Sequence, residues 1–240
     1  MELKRFFATR LGDGTVRIDG EEYMHLAKVL RHKVGYRLIA NAADGKDLYC
    51  TITRMDKECA IATIEREEDN IALPEAEITL FQANPKREKM DWIIQKCVEL
   101  GVRRVVPMYT QFVNEKNFAL ERAERIADQA CKQCGRSLRM QVSEPVQWQE
   151  VLQMLGEFDA IILPYEHATN GAIGAVSTLP QARKIAVLIG SEGGFSESEV
   201  EQAQACGAQT VSLGKQILRC ETAAIVACAL VLYHKGALQA

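Results

Sequence analysis

Residues 188–201 read LIGSEGGFSESEVE. An apolar run, KIAVLIG, ends in glycine, and a helix starts almost at once, with Ser196 and Glu199 at the spacing of a capping box. A strand that passes through a glycine turn into a helix is the repeating element of α/β sheets, so this stretch sets the class of the carboxyl-terminal part. Corners of this kind often cradle phosphates. This one instead carries Glu192 between its glycines, with Glu197, Glu199 and Glu201 close behind. A pyrophosphate there would be repelled at short range. The pattern is also neither GxGxxG nor a P-loop.

Working outward, the same alternation extends on both sides. EITLFQAN, RRVVPMYT, DAIILPYE, KIAVLIG and TVSL are strand candidates. Between and after them lie the helical patterns KREKMDWIIQKCVELGV, FALERAERIADQACKQCG, VQWQEVLQML, SESEVEQAQACG and CETAAIVACALVLYHKG. That predicts an α/β domain with a largely parallel sheet over 73–240. The first part differs. KRFFATR, TVRID, YRLIANA, DLYCTITRM and CAIATIER are short, branched or aromatic runs separated by turns such as Gly12-Asp13-Gly14 and Asp44-Gly45. One helix, EEYMHLAKVLRHKVG, interrupts them, and a small β-barrel over 1–72 is expected. REEDNIALPEAE, charged and broken by Pro74, reads as the linker.

The 240 residues carry a net charge of −3, so bulk attraction to polyanions is excluded and any nucleic acid must be held by local patches. No stretch has the length of a membrane span, and MELKRFFATR lacks a signal-peptide core, so a cytoplasmic protein without membrane contact is expected. Of eight cysteines, Cys50, Cys59, Cys97, Cys206, Cys220 and Cys228 lie among apolar neighbours and are expected as small buried side chains. Cys131 and Cys134 form a CxxC inside a helical pattern. With no second pair or nearby histidines to complete a site, no metal is expected.

In parallel sheets ligands sit beyond the carboxyl ends of the strands. Three ends carry chemistry: Leu163-Pro164-Tyr165-Glu166-His167, the opening stretch, and SLGKQILRCETAA. The acidic glycine corner suits a nucleoside without phosphate and with a positive centre, which describes S-adenosylmethionine better than NAD or ATP. The plainer reading, that Gly193 and Gly194 only permit a turn, stays open. In the third segment Ile217 and Leu218 can wall in an adenine or simply anchor the loop. The last helix is apolar nearly all round, hence buried in its own domain or against another subunit.

LIGSEGGFSESEVE followed by LGKQILRCETAA closely resembles the 16S ribosomal RNA uridine N3-methyltransferase family of the SPOUT superfamily. KRFF, HLAKVLRHKVG, MDWIIQKCVELGV and DQACKQCGR extend the resemblance over the whole chain, with Ser191 standing where the family usually has proline. The resemblance implies a PUA-like amino-terminal barrel, a SPOUT-type α/β domain with a carboxyl-terminal trefoil knot, and a homodimer. It also implies methyl transfer from S-adenosylmethionine to N3 of a uridine in 16S rRNA, within the assembled small subunit. The residues then expected at the cofactor are Leu163, Ile189, Gly190, Glu192, Gly193, Leu213, Gly214, Ile217, Leu218, Arg219, Thr222 and Ala223.

Uridine N3 must lose its proton before it attacks. Arg136 and Arg219 are the candidate guanidiniums for the resulting anion, and Glu192 and Glu221 the candidate proton acceptors. Glu221 can equally be an acidic group in a helix's first turn, and Arg136 a surface residue after Gly135. For RNA capture, His25 to Arg37 holds Lys28, Arg31, His32, Lys33 and Arg37 and no acidic residue, and Arg5 and Arg10 can extend that patch. Gln111, Asn114 and the segment to Phe118 are a candidate substrate loop. The competing readings are a SPOUT enzyme acting on a ribose 2′-hydroxyl and a non-enzymatic RNA-binding module. A nicotinamide dehydrogenase is disfavoured, since no GxGxxG opens the α/β domain.

Overall fold

A computed structural model describes residues 3–70, 74–168 and 171–238. The chain forms two compact units, Met1–Leu73 with Cys131–Arg139, and Pro74–Ala130 with Met140–Ala240.

The first unit contains β1 (Arg5–Phe7), β2 (Thr9–Arg10), β3 (Thr15–Asp19), α1 (Gly20–Met24), β4 (Arg37–Asn41), β5 (Lys46–Met55) and β6 (Cys59–Asp69). Its sheet runs β1-β4-β5-β6-β3-β2. The two edge strands are separated in sequence by Ala8 alone, and one residue spans at most about 3.6 Å. The sheet must therefore curl enough to bring the end of β1 beside the start of β2. Alternation supplies the lining: Val16 and Ile18 of TVRID point inward with Phe6, Leu38, Leu48 and Ile52, all fully buried.

Two local expectations are corrected in this unit. The helix expected over 21–35 is short: α1 passes into a π-turn at His25–Val29, where the Leu30 amide donates to the His25 carbonyl. Arg31, at φ 54, then leaves the helical region. Of the expected linker, residues 66–69 belong to β6, held by pairing of Lys46 to Asp69 across to β5, and 71–73 lie outside the described residues.

The second unit contains β7 (Glu77–Ala83), α2 (Arg87–Leu100), β8 (Arg104–Tyr109), α3 (Leu120–Cys134, its end counting with the first unit), β9 (Gln141–Val142), β10 (Val146–Gln147) and α4 (Trp148–Met154). It continues with β11 (Ala160–Pro164), β12 (Lys184–Ile189), α5 (Glu197–Ala205), β13 (Gln209–Val211) and α6 (Cys220–His234). The sheet order is β10-β8-β7-β12-β11-β13, with β9 also on β8, and every pairing is parallel. This is a mixed α/β fold.

The helices follow their sequence periodicity. In α2, Met90, Ile93, Ile94, Cys97 and Val98 form the buried stripe, and Gly101, at φ 93, ends the helix in the left-handed conformation. A Cβ at Gly101 would lie 2.7 Å from the Pro74 ring, a second reason for glycine there. In α6, Cys220, Ala224, Ala227, Cys228 and Val231 face the interior. The helix expected from Val146 starts instead at Trp148, because Val146 and Gln147 pair with β8 and Gln147 then caps the helix with Glu150. Cys206, expected to be buried, is exposed, since it caps the end of α5. Among the described residues no helix is long and apolar enough to cross a membrane.

The connection after β7 leads to β8 on one side of it, while β12, β11 and β13 extend the sheet on the other. The strand order therefore reverses between β7 and β12, where such sheets leave a crevice at their carboxyl ends.

Candidate active site

At that crevice lies a cavity of about 460 Å³. The turn after β12, from Gly190 to Phe195, forms one wall; Pro164 and Glu166, from the end of β11, form another. Ile217, Leu218, Arg219, Cys220 and Ala223 close a third side, and Lys89 enters from the first turn of α2.

The turn is tight because it has to be. A Cβ on Gly190 would lie 2.7 Å from the Gly194 carbonyl carbon, and Gly194 has φ 71. The Ser191 hydroxyl donates to the Phe112 carbonyl at 3.1 Å, and the Gly194 amide to the Ser191 carbonyl at 3.0 Å. The capping box read from sequence is present: the Ser196 amide donates to Glu199 Oε2 at 2.9 Å. Glu199 is buried, and its Oε1 accepts the Gln111 amide at 2.8 Å.

One cation organises the acidic side. Lys89 Nζ lies 2.9 Å from Glu192 Oε1 and 3.5 Å from Glu221 Oε2. Burial pushes the Glu192 carboxyl up, but the Lys89 hydrogen bond and backbone amides pull harder, and it ends below its ordinary value. Glu221 follows the same course: burial raises it, while its own amide, Cys220 and Lys89 bring it below. Both are ionised at neutral pH. Lys89 is held cationic, chiefly by the Glu192 hydrogen bond. Burial and the Glu221 contact push the Cys220 thiol up to about 12, so it is no nucleophile.

The structure brings Ile189, Gly190, Glu192, Gly193, Ile217, Leu218, Arg219 and Ala223 together around this cavity. Glu221 reaches the cluster through Lys89. Leu163 is fully buried in β11, one residue before the lining Pro164, while Leu213, Gly214 and Thr222 are not among the lining residues. Arg136 belongs to the first unit and is almost fully buried, so it is not a surface residue. Its carbonyl accepts from Asn41 at 3.3 Å. Lys89 carries no signal of this role in the sequence. It is one polar residue on an amphipathic helix, 103 positions from Glu192, and only the pairing of β7 with β12 unites them.

In the first unit, His25 and Lys28 join Lys57, Glu21 and Glu58 around a separate cavity of about 690 Å³, and Arg31 and Lys33 are exposed. Arg5 and Arg10 do not present free charge. Arg5 makes a two-pronged pair with Asp47 at 2.7 and 2.9 Å, and Arg10 bonds Glu67 at 2.6 Å and Asp44 at 3.0 Å. These acids are distant in sequence, on β5, on β6 and in the turn before β5, so no local pattern announces them.

A nucleoside-sized, acidic and partly apolar cavity at the switch point of a parallel sheet defines an α/β protein for a phosphate-free nucleoside ligand. The chain belongs to the RNA methyltransferase family: the profile of the RNA methyltransferase domain matches residues 72–232. It is 32% identical over 235 residues to the ribosomal RNA small subunit methyltransferase E of Bacillus subtilis, covering 92% of this chain and 90% of that protein. Among solved structures, it is similar to the ribosomal RNA small subunit methyltransferase E of Neisseria gonorrhoeae bound to S-adenosyl methionine (TM-score 0.83, 30% identity, 97% and 98% of the two chains covered). A probable rRNA-methyltransferase from Porphyromonas gingivalis superposes with a TM-score of 0.85 at 29% identity, covering 98% of this chain and 99% of that one.

Proposed function

We propose that this chain transfers the methyl group of S-adenosylmethionine to N3 of one uridine in 16S rRNA of the assembled small subunit. The observation that carries the reading is the convergence of the 190–195 turn and the 217–223 segment on one acidic cavity. Its residues fit the cofactor. Glu166 and Glu192 suit a positive centre and ribose hydroxyls, and Ile217 stands 87% exposed where an adenine would cover it. The names of the relatives and the ligand of the Neisseria structure point the same way.

When bound, S-adenosylmethionine supplies an electrophilic methyl group. The chain supplies alignment and charge. Arg219, in the cavity wall, is the guanidinium proposed to stabilise the N3 anion through its two carbonyl oxygens. Glu192 and Glu221 were expected as proton acceptors. Their depressed pKa values make them poor bases and good fixed counter-charges, so we assign them to the cofactor's positive centre. The N3 proton passes to water once Arg219 favours the anion. Leu218 and Ala223 exclude solvent on the cofactor side.

The finer architecture belongs to the same proposal. A PUA-like barrel is supported by the curled six-stranded sheet, and a SPOUT trefoil knot by the meeting of two distant loops on one cavity. A homodimer is supported by Trp92, Leu230 and Tyr233, large apolar side chains exposed on α2 and α6. Phosphate contact by His25, Lys28, Arg31 and Lys33, and action in the cytoplasm, accord with an rRNA substrate.

The test is methylation of small-subunit rRNA, naked and as assembled particle, followed by nucleoside mass spectrometry. N3-methyluridine should form with the native chain and fall at least about a hundredfold with Arg219→Ala. A 2′-O-methylated product, or no product from either substrate, ends the proposal.

A further inference from the structure

The segment after β8 has a second face that methyl transfer leaves unexplained. Residues 110–113 are clamped from two directions. On one side Ser191 holds the Phe112 carbonyl, and Phe112 packs so closely on Gly193 that an added Cβ there would lie 2.9 Å from the Phe112 Cβ. On the other, the Gln111 amide donates to buried Glu199. The segment thus ties the cofactor cavity to a second one, of about 570 Å³, lined by Tyr109, Gln111, Lys116, Gln147, Gln149 and Glu199 among others. Phe112 lines neither cavity, but it sits between the lining residues Gln111 and Val113, packs on Gly193 of the first cavity and is 41% exposed.

The chemistry of this second cavity is specific. Glu199 is engaged by Gln111 and by the Ser196 amide and hydroxyl, so its charge is already bonded internally. The Tyr109 hydroxyl donates to the Lys116 carbonyl at 2.7 Å, and burial with nearby Glu144 and Glu115 keeps the phenol protonated. What the cavity leaves open to a ligand is the exposed side-chain amides of Gln111 and Gln149 and exposed Lys116, since the Gln147 side chain is taken up in its helix cap; the exposed Phe112 ring adjoins Gln111 and Val113 in the chain. Amides carry paired donors and acceptors that match the edges of a base. An exposed aromatic face is the usual partner of an unstacked base. An apolar peptide would leave the glutamines unsatisfied, and an anionic metabolite would find one cation.

We infer that the second cavity, together with the exposed Phe112 of the segment that lines it, takes an unstacked nucleobase that neighbours the target uridine in the same RNA strand. The inference rests on the RNA-methylation reading above and extends it to substrate selection. Phe112 stacks on that base, the glutamines read its edge, and Lys116 meets its phosphate. The clamp through Ser191 and Gly193 then couples correct seating of the neighbouring base to the shape of the cofactor turn.

Two substrates test this: unmodified small subunits, and a short single-stranded RNA carrying fluorescent aminopurine beside its uridine. The native chain should quench the probe. Phe112→Leu keeps an apolar contact on Gly193 but has no π face; it should bind the RNA roughly tenfold more weakly, lose the quench and raise KM for subunits similarly. Phe112→Trp should restore both. Gln149→Ala should weaken binding severalfold, and S-adenosylmethionine affinity by calorimetry should persist in all three variants. Native-like binding and quenching by Phe112→Leu, or a loss confined to cofactor affinity, overturns the inference. If the native chain quenches the probe but transfers no methyl, the methyltransferase reading fails and the base site stands. If it methylates with Phe112→Leu unimpaired, the reverse holds.

Discussion

Glu192→Gln separates the proposed counter-charge from every other role of the glycine turn. The substitution keeps the side chain's shape and removes its charge. Around the cavity, three carboxylates, Glu166, Glu192 and Glu221, face two cations, Lys89 and Arg219. Glu192→Gln leaves two against two, and the net attraction for a positive centre vanishes. The Glu192 side chain is 44% exposed, so solvent screens it substantially. A unit charge about 6 Å away, at an effective dielectric of about 40 to 80, interacts by roughly 0.7 to 1.4 kcal/mol. That corresponds to about a three- to tenfold loss of affinity. The assay is titration calorimetry with S-adenosylmethionine and with its neutral demethylated product, S-adenosylhomocysteine. The cationic ligand should lose affinity and the neutral one should not. Because the Lys89–Glu192 pair is half exposed, fold stability should change by no more than about 1 kcal/mol. Equal losses for both ligands would refute the electrostatic argument and make Glu192 a shape element of the turn.

Acidification tests the same carboxylates. A folded pKa below the ordinary 4.5 means the ionised form is favoured by the fold, so its contribution is complete above 4.5 and disappears as pH falls through the lower folded values. Cofactor affinity should therefore hold from neutrality to about pH 4.5 and decline below it; a decline centred near neutrality contradicts the assignment. Gly190→Ala should lower stability by about 1 to 3 kcal/mol and abolish cofactor binding, as its Cβ meets the Gly194 backbone. Gly156→Ala, with open space around it, serves as the control, both read by thermal unfolding. Iodoacetamide at neutral pH should label exposed Cys206 well before buried Cys220, whose thiol sits at about 12; mass spectrometry reads the order, and early labelling of Cys220 would contradict its burial.

Much was legible in the chain because it is encoded locally. The α/β class follows from the 3.6-residue stripe of α2 and the apolar runs of β7 and β12, each complete within a few turns or strides of backbone. The Ser196–Glu199 cap was legible for the same reason, since both partners lie within one helical turn. The glycine corner announced its close approach through Gly190 and Gly194. Its acidity narrowed the ligand to one without phosphate.

The tertiary structure decided what depends on partners far apart in sequence. Lys89 looks like any helix-surface lysine until the β7–β12 pairing sets it against Glu192, and that contact turns two candidate bases into fixed charges. Arg5 and Arg10 look like free RNA contacts until curling of the sheet brings Asp47, Asp44 and Glu67 to them. Phe112 lies in the segment that the sequence offers as a substrate loop, but only folding sets its ring on Gly193 and its carbonyl on Ser191. Periodicity and capping are short-range properties of the backbone, so sequence alone determined the elements, while tertiary pairing and the π-turn moved the ends of α1, α4 and β6. Charge state and exposure depend on neighbours supplied by folding, and only the packed chain could determine them.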